Sequence, residues 1–139
     1  MSAELHRFRD RSCDSEKITI NLGYVDLGHI DLLVREGFYS NRTDLIRTAI
    51  RNQLALHAEA MKQTIVRQTL EIGLRHFSRE DLEKVRAAGE RLSIKVVGLA
   101  IIADDVPPEL AGETIETITV LGALQASGPV KAALADRVR

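Results

Sequence analysis

Residues 17–22, KITINL, alternate strictly between polar and apolar side chains. Ile18, Ile20 and Leu22 would share one face of a β-strand, with the polar side chains on the other face. The patterns that follow are helical, so this short strand has no neighbour in the sequence to pair with. A lone strand leaves its backbone hydrogen-bonding groups unmet and is unstable in water. We therefore expect two copies of the segment to form an antiparallel ribbon about a two-fold axis.

Two helical patterns follow the strand. Residues 23–37 repeat apolar side chains at helical spacing, and Gly37 ends the pattern. A second, longer pattern begins at Ser40, a residue type that caps helix N-termini. Its apolar face carries Leu45, Ile46, Ala49, Ile50 and Leu54.

Residues 58–91 are predicted to be a helical connector. The apolar face of the second helix continues beyond residue 58, and we expect a kink or break at Gly73 or His76. Ser78 has the position of an N-cap for another helix that ends near Arg91.

The order of strand, short helix, turn and second helix over residues 17–57 resembles the ribbon-helix-helix family of DNA-binding regulators, the CopG, MetJ and Arc type. The resemblance rests on KITINL, on the first helix and on FYSNRTDLIRTAIRNQL at residues 38–54. Within the last stretch, YSNRTDLIRTAI is close to the CopG-like branch, which includes nickel-responsive members. The resemblance implies that the partner is double-stranded DNA.

The polar face of the strand is the predicted base-reading surface. A two-stranded ribbon fits the major groove, where a lysine donates to guanine acceptors and an asparagine pairs with adenine. A threonine contacts either a base edge or a thymine methyl group. The resemblance implies that Lys17, Thr19 and Asn21 read the bases.

The first turn of the second helix is the predicted phosphate anchor. Its free amides and the positive end of the helix dipole suit a phosphate, and the resemblance implies this role. The residues concerned are Ser40, Asn41, Arg42 and Thr43. Arg42 adds a positive charge and Asp44 subtracts one, so we expect main-chain amides to dominate. Arg47 and Arg51 share a solvent face, and we expect them mainly to solvate it.

The last third of the chain contains an internal repeat. A shift of 24 residues aligns five apolar or glycine positions of residues 92–139 with one another. The aligned pairs are Ile94 with Ile118, Val96 with Val120, Gly98 with Gly122, Val106 with Val130, and Leu110 with Leu134. Each copy has an alternating strand that ends in glycine, followed by a turn at Pro107-Pro108 or Gly128-Pro129. The two repeated glycines predict tight bends or a close backbone approach.

The repeat suggests a role in assembly. A stack of repeats needs about three or more layers to be stable, and one chain has only two. We expect another chain to supply the missing layers through residues 92–139, joining dimers into tetramers or larger units. A small self-contained β unit, and a ligand-sensing or partner-binding domain, are the alternatives.

Composition excludes several classes of protein. Lys and Arg number 19 against 20 Asp and Glu, so any site for nucleic acid must be local. A single cysteine, Cys13, excludes internal disulfides and a multi-cysteine zinc site. No apolar run reaches the roughly 20 residues that span a bilayer, and no signal-peptide pattern is present. We expect a cytoplasmic protein with no membrane contact, whose residues 1–16 form a flexible arm.

No motif indicates catalysis or a cofactor. The four histidines have no ligand-like spacing, and the clustered histidine and cysteine site of the nickel-responsive relatives is not found. A phosphate-binding glycine loop and a nucleophile elbow are also missing from the sequence. We expect no enzyme activity, no cofactor and no metal site.

These observations predict an α+β protein with four segments. They are the arm at 1–16, a ribbon-helix-helix unit at 17–57, the helical connector at 58–91 and a β-rich assembly domain at 92–139. The predicted function is sequence-specific transcriptional repression. The alternatives are a scaffolding protein that only dimerises and an antitoxin that regulates its own operon, although antitoxins of this type usually end in a short, disorder-prone tail.

Overall fold

The computed structural model describes residues 15–139, so nearly all of the predicted arm, including Cys13, lies outside the described residues. The protein is α+β, with six helices and one three-stranded sheet among the described residues. The chain divides into two compact units, one that ends at Gln63 and one that spans Thr64–Arg139. No helix of the described chain is both long and apolar enough to span a bilayer.

The first unit contains helices at the predicted places. Its helices are α1 (Tyr24–Arg35), α2 (Arg42–Leu56) and the start of α3 (Ala58–Gln68). Residues 15–23 form neither a helix nor a strand within the single chain. The N-cap of α2 is Asn41 and not Ser40, because the Asn41 side chain accepts a hydrogen bond from the Asp44 amide at 2.8 Å.

The first unit has no hydrophobic core of its own. None of the described residues from 15 to 63 is buried. Ile18 is 73% exposed and Tyr24 is 92% exposed, and Leu56 and Phe38 are also exposed. Apolar surface on this scale stabilises a fold only when something covers it. The unit therefore requires contact with another surface.

The helical prediction for residues 71–77 is wrong. Helix α2 ends at Leu56 with His57 as its C-cap, α3 ends at Gln68, and Thr69 adopts a left-handed conformation with φ of 56°. Residues 71–77, predicted to be helical, form strand β1 (Glu71–Phe77). The apolar residues of this stretch fit a helical stripe, but its pairing with a distant strand decides the structure.

The second unit alternates strands with helices. After β1 come α4 (Arg79–Ala87), β2 (Leu92–Ile102), α5 (Pro108–Thr114), β3 (Ile115–Gln125) and α6 (Gly128–Ala133). The three strands are parallel in the order β1-β2-β3. The predicted N-cap at Ser78 is confirmed, since Ser78 and Asp81 form a reciprocal capping box. Residues 92–139 thus hold two helices as well as two strands, and are less β-rich than predicted.

Strand register places residues 24 apart in the sequence side by side. Ile94 pairs with Ile118, and Gly98 pairs with Gly122. On the other side of β2, Gly73 of β1 pairs with Gly98. The repeat predicts two strand layers per chain, whereas β1 adds a third from the same chain. The missing-layer argument for assembly therefore does not hold.

The core lies on the helix-covered face of the sheet. Alternate residues of β2 are buried together with side chains from all three helices of this unit. The main members are Ile94, Val96, Ala100, Ile102, Ile118, Leu82, Leu110 and Val130. Below them, the Arg137 guanidinium donates hydrogen bonds to the carbonyl oxygens of Gly112 and Ile115. These bonds tie the chain end to the junction of α5 and β3.

A column of glycines crosses the sheet. Gly73, Gly98 and Gly122 have φ of 115°, 138° and 123°, a region that favours glycine. A Cβ atom on Gly98 would overlap the Gly73 carbonyl oxygen, and one on Gly122 would overlap the Gly98 carbonyl oxygen. The predicted close backbone approach at Gly98 and Gly122 is confirmed, and its reason is the contact between adjacent strands.

We predict that Gly98→Ala destabilises the second unit by about 2–4 kcal/mol, because the added methyl group strains the backbone and forces β1 away from β2. Urea unfolding followed by circular dichroism measures the change. The matched control is Gly112→Ala in α5, where the new Cβ meets no atom within 4 Å. Its stability should change by less than about 1 kcal/mol. Equal effects of the two substitutions would contradict the role of the glycine column.

Candidate nucleic-acid interface

The segment before α1 displays its polar and apolar residues alternately. Lys17, Thr19 and Asn21 are exposed, as are the intervening Ile18 and Ile20. Within a single chain the segment joins no sheet. The structure therefore does not place Lys17, Thr19 and Asn21 on one surface, and only their alternation in the sequence relates them. Exposed apolar residues alternating with polar ones are typical of a strand that has one face covered on pairing.

The start of α2 forms a shallow hollow of about 380 Å³. Seven residues line it: Ser40, Asn41, Thr43, Asp44, Arg47, Thr48 and Arg51. Three of the four predicted phosphate-binding residues are therefore brought together there. The fourth, Arg42, does not line the hollow.

Arg42 is paired with Asp31 of α1. Its Nε lies 2.7 Å from one carboxylate oxygen of Asp31, and its Nη2 lies 2.8 Å from the other. Donation from Arg42 lowers the pKa of the Asp31 carboxyl, and the same contact raises the pKa of Arg42. This bidentate pair joins α1 to the start of α2 and neutralises the Arg42 charge. Arg42 thus offers an anion mainly its main-chain amide.

The amides of the first turn differ in availability. The Asp44 amide donates to Asn41, and the Ser40 amide donates to the Asp44 carboxylate at 3.0 Å. The amides of Arg42 and Thr43 find no acceptor among residues 15–139. Since they lie at the positive end of the helix dipole, these two groups are suited to an anion.

Arg47 and Arg51, which we expected mainly to solvate the helix surface, line the hollow at the start of α2. Both line the same hollow as Thr43, at successive spacings of four residues along α2. Two cationic side chains and two amides thus flank a surface that carries one carboxylate, that of Asp44. In the sequence, Thr43, Arg47 and Arg51 follow each other at intervals of four residues. This spacing indicates that the two arginines share a helix face with the predicted phosphate-binding residue Thr43. The arrangement suits a phosphate group better than a metal ion, and the described part of the chain holds no cluster of three metal-ligating side chains.

Comparison with known protein families gives a match over most of the chain. The model of the Ribbon-Helix-Helix transcriptional regulator family matches residues 13–131. The match confirms the resemblance found at residues 17–57 and extends it through most of the sheet-containing unit. No curated protein and no solved structure gives a significant match.

We predict a titration midpoint for Asp31 below the ordinary aspartate value of about 3.9, because the Arg42 guanidinium stabilises the carboxylate. The carboxyl carbon shift in NMR measures it, and Arg42→Gln should move the midpoint upward.

The same contact makes stability depend on pH. A lowered pKa in the folded state contributes stability above the unfolded value, and this contribution is lost as pH falls through the folded value. Asp31→Asn should therefore unfold at a lower temperature than the parent at pH 7, with the difference closing in strong acid. A midpoint unaffected by Arg42→Gln would contradict the pairing.

Proposed function

Because the chain belongs to the Ribbon-Helix-Helix transcriptional regulator family, we propose that it is a sequence-specific DNA-binding repressor that inserts a β-ribbon into the major groove. The observation that carries the proposal is the family match over residues 13–131. The polar alternation of residues 17–22 and the cationic hollow at the start of α2 agree with it.

The ribbon requires a homodimer. Support comes from the first unit, in which no described residue is buried. An antiparallel pair of segments 17–22 would satisfy the strand backbones. It would also turn Ile18, Ile20 and Leu22 of both chains onto the helices, where their exposed apolar surface is covered.

Lys17, Thr19 and Asn21 then face the DNA. The proposed roles are base contacts by Thr19 and Asn21, and a combined base and electrostatic contact by Lys17. All three are exposed, and the alternation places them on the face opposite the apolar residues. The specificity of the protein would reside in these side chains.

The start of α2 holds the DNA backbone. We assign the phosphate to the amides of Arg42 and Thr43 and to the hydroxyl and amide side chains of Ser40 and Asn41. Arg47 and Arg51 add charge from the same hollow. This contact is independent of sequence and sets the orientation of the ribbon in the groove.

We further propose that residues 92–139 join dimers into a tetramer or larger unit. The support is their exposed apolar side chains, such as Val138, and not a missing strand layer. A scaffolding protein that only dimerises is the alternative function. Selection of bound fragments from the host genome at stated salt separates the two, because a scaffold would enrich no DNA site.

The base-reading role predicts that Asn21→Ala weakens binding to the selected site by about 1–3 kcal/mol and changes binding to random DNA little. Fluorescence anisotropy with both kinds of DNA measures this. Asn52→Ala, which alters an exposed asparagine of α2, is the matched control and should bind as the parent does. An equal loss on specific and random DNA would remove Asn21 from base reading.

The phosphate anchor is tested by comparing two changes at one position. Arg42→Ala removes the side-chain pair with Asp31, whereas Arg42→Pro removes that pair and also the amide. Proline is tolerated at this first helical position, so the helix should persist. We expect the proline variant to bind both specific and random DNA more weakly than the alanine variant. Identical affinities would place the anchor elsewhere.

A further inference from the structure

Within the second unit, one face of the three-stranded sheet has no helix packed on it. Buried residues of β2 such as Ile94 and Val96 face the helices, so Val97 and Leu99 point to the opposite side. We call this opposite side the open face, defined by six residues in two register rows. They are Ile72, Val97 and Leu121 in one row and Leu74, Leu99 and Ala123 in the next.

The open face is apolar and exposed. Ile72 is 73% exposed, Leu74 58% and Leu121 56%, while Val97 and Leu99 are half-buried. The rows that border it carry Lys95 and Thr119 on one side, and His76, Ile101 and Gln125 on the other. Parallel sheets normally have both faces covered, so an apolar second face indicates a contact surface.

The composition of the open face selects its partner. Its six residues carry no charge, which disfavours nucleic acid and strongly charged peptides. A matching surface must be apolar, uncharged and of the same size, and the same face of another chain meets all three conditions. The proposed dimer already holds a second copy nearby, which raises its effective concentration. We propose that the open faces of two copies pack against each other, an inference that rests on the dimer of the proposed function.

The charge of Lys95 and the sizes of the apolar side chains favour one relative orientation of the two sheets. If the two sheets ran parallel, each Lys95 would lie opposite another Lys95. If they run antiparallel, each strand crosses its own copy and the two apolar rows exchange places. Leu121 then lies over Ala123 of the other copy. A large side chain thus faces a small one, which lets the two layers interdigitate. The antiparallel arrangement is the one we assign.

The area of the open face is consistent with a contact between two chains that are already linked through their first units. Three strands and two rows cover an area of roughly 14 by 13 Å. That is well below the roughly 800 Å² that each partner buries in a stand-alone interface. The contact would therefore be weak between free units and stable between chains already linked through their first units.

Cross-linking of the full chain tests the contact without DNA. The protein has one cysteine, so Cys13→Ser provides a cysteine-free background. In it, Leu121→Cys combined with Ala123→Cys should be linked between copies by a short bismaleimide, which can span the roughly 10 Å between packed sheets that a direct disulfide cannot. Lys131→Cys combined with Ala133→Cys, exposed on α6, is the matched control with the same spacing. We expect cross-linking at least about tenfold faster in the first variant.

A third variant checks that the apolar patch drives the contact. Adding Leu74→Glu to the cysteine pair on the open face should slow cross-linking to the control rate, because a charge would enter the apolar contact. Leu74 is exposed in the single chain, so circular dichroism should show an intact fold.

Equal rates for the open-face and control pairs would overturn the proposal, because the open face would then lie no nearer to its copy than an exposed helix surface does. The cross-linking experiment contains no DNA, so its result does not depend on whether Asn21→Ala changes DNA specificity. The two proposals can therefore fail separately. The mass of the cross-linked species separately tests the proposed tetramer.

Discussion

The absence of any buried side chain between residues 15 and 63 is the constraint on which the first unit depends. Hydrophobic burial is the main force that stabilises a fold, and here the helices and the preceding segment expose their apolar residues instead. Local hydrogen bonds and an ion pair stabilise the conformation of the unit, but they do not give it a hydrophobic core. They include the Asn41 cap and the Asp31–Arg42 pair, both largely exposed and therefore weak stabilisers by themselves. The surface that would stabilise this unit is the same surface that would build the DNA-binding ribbon.

The second unit has the opposite character. Its strands and helices bury a continuous core, and a glycine column lets the three strands approach closely. However, the helices of this unit cover only one face of its sheet, so the other face presents an apolar surface. The two units thus share one physical property at different scales: each leaves apolar area that a second copy of the chain is suited to cover.

The cationic hollow shows how packing assigns roles to similar residues. Arg42, Arg47 and Arg51 all lie on α2 within a few turns. Asp31 engages Arg42 from α1, which leaves the other two to line the hollow. A charge count along the helix would treat the three as equal. The difference arises from a contact with a residue 11 positions away.

The sequence by itself determined the local elements and the family. The alternation at residues 17–22, the helix spacing up to Leu54 and the cap at Ser78 are properties of neighbouring residues, and short-range periodicity records them. It also indicated Gly98 and Gly122, because a repeated glycine marks a backbone requirement. The tertiary structure alone decided that residues 71–77 form a strand, that Gly73 completes the column and that Arg42 is neutralised. Each of these depends on a contact between residues far apart in the chain, and such contacts leave no periodic trace in the sequence.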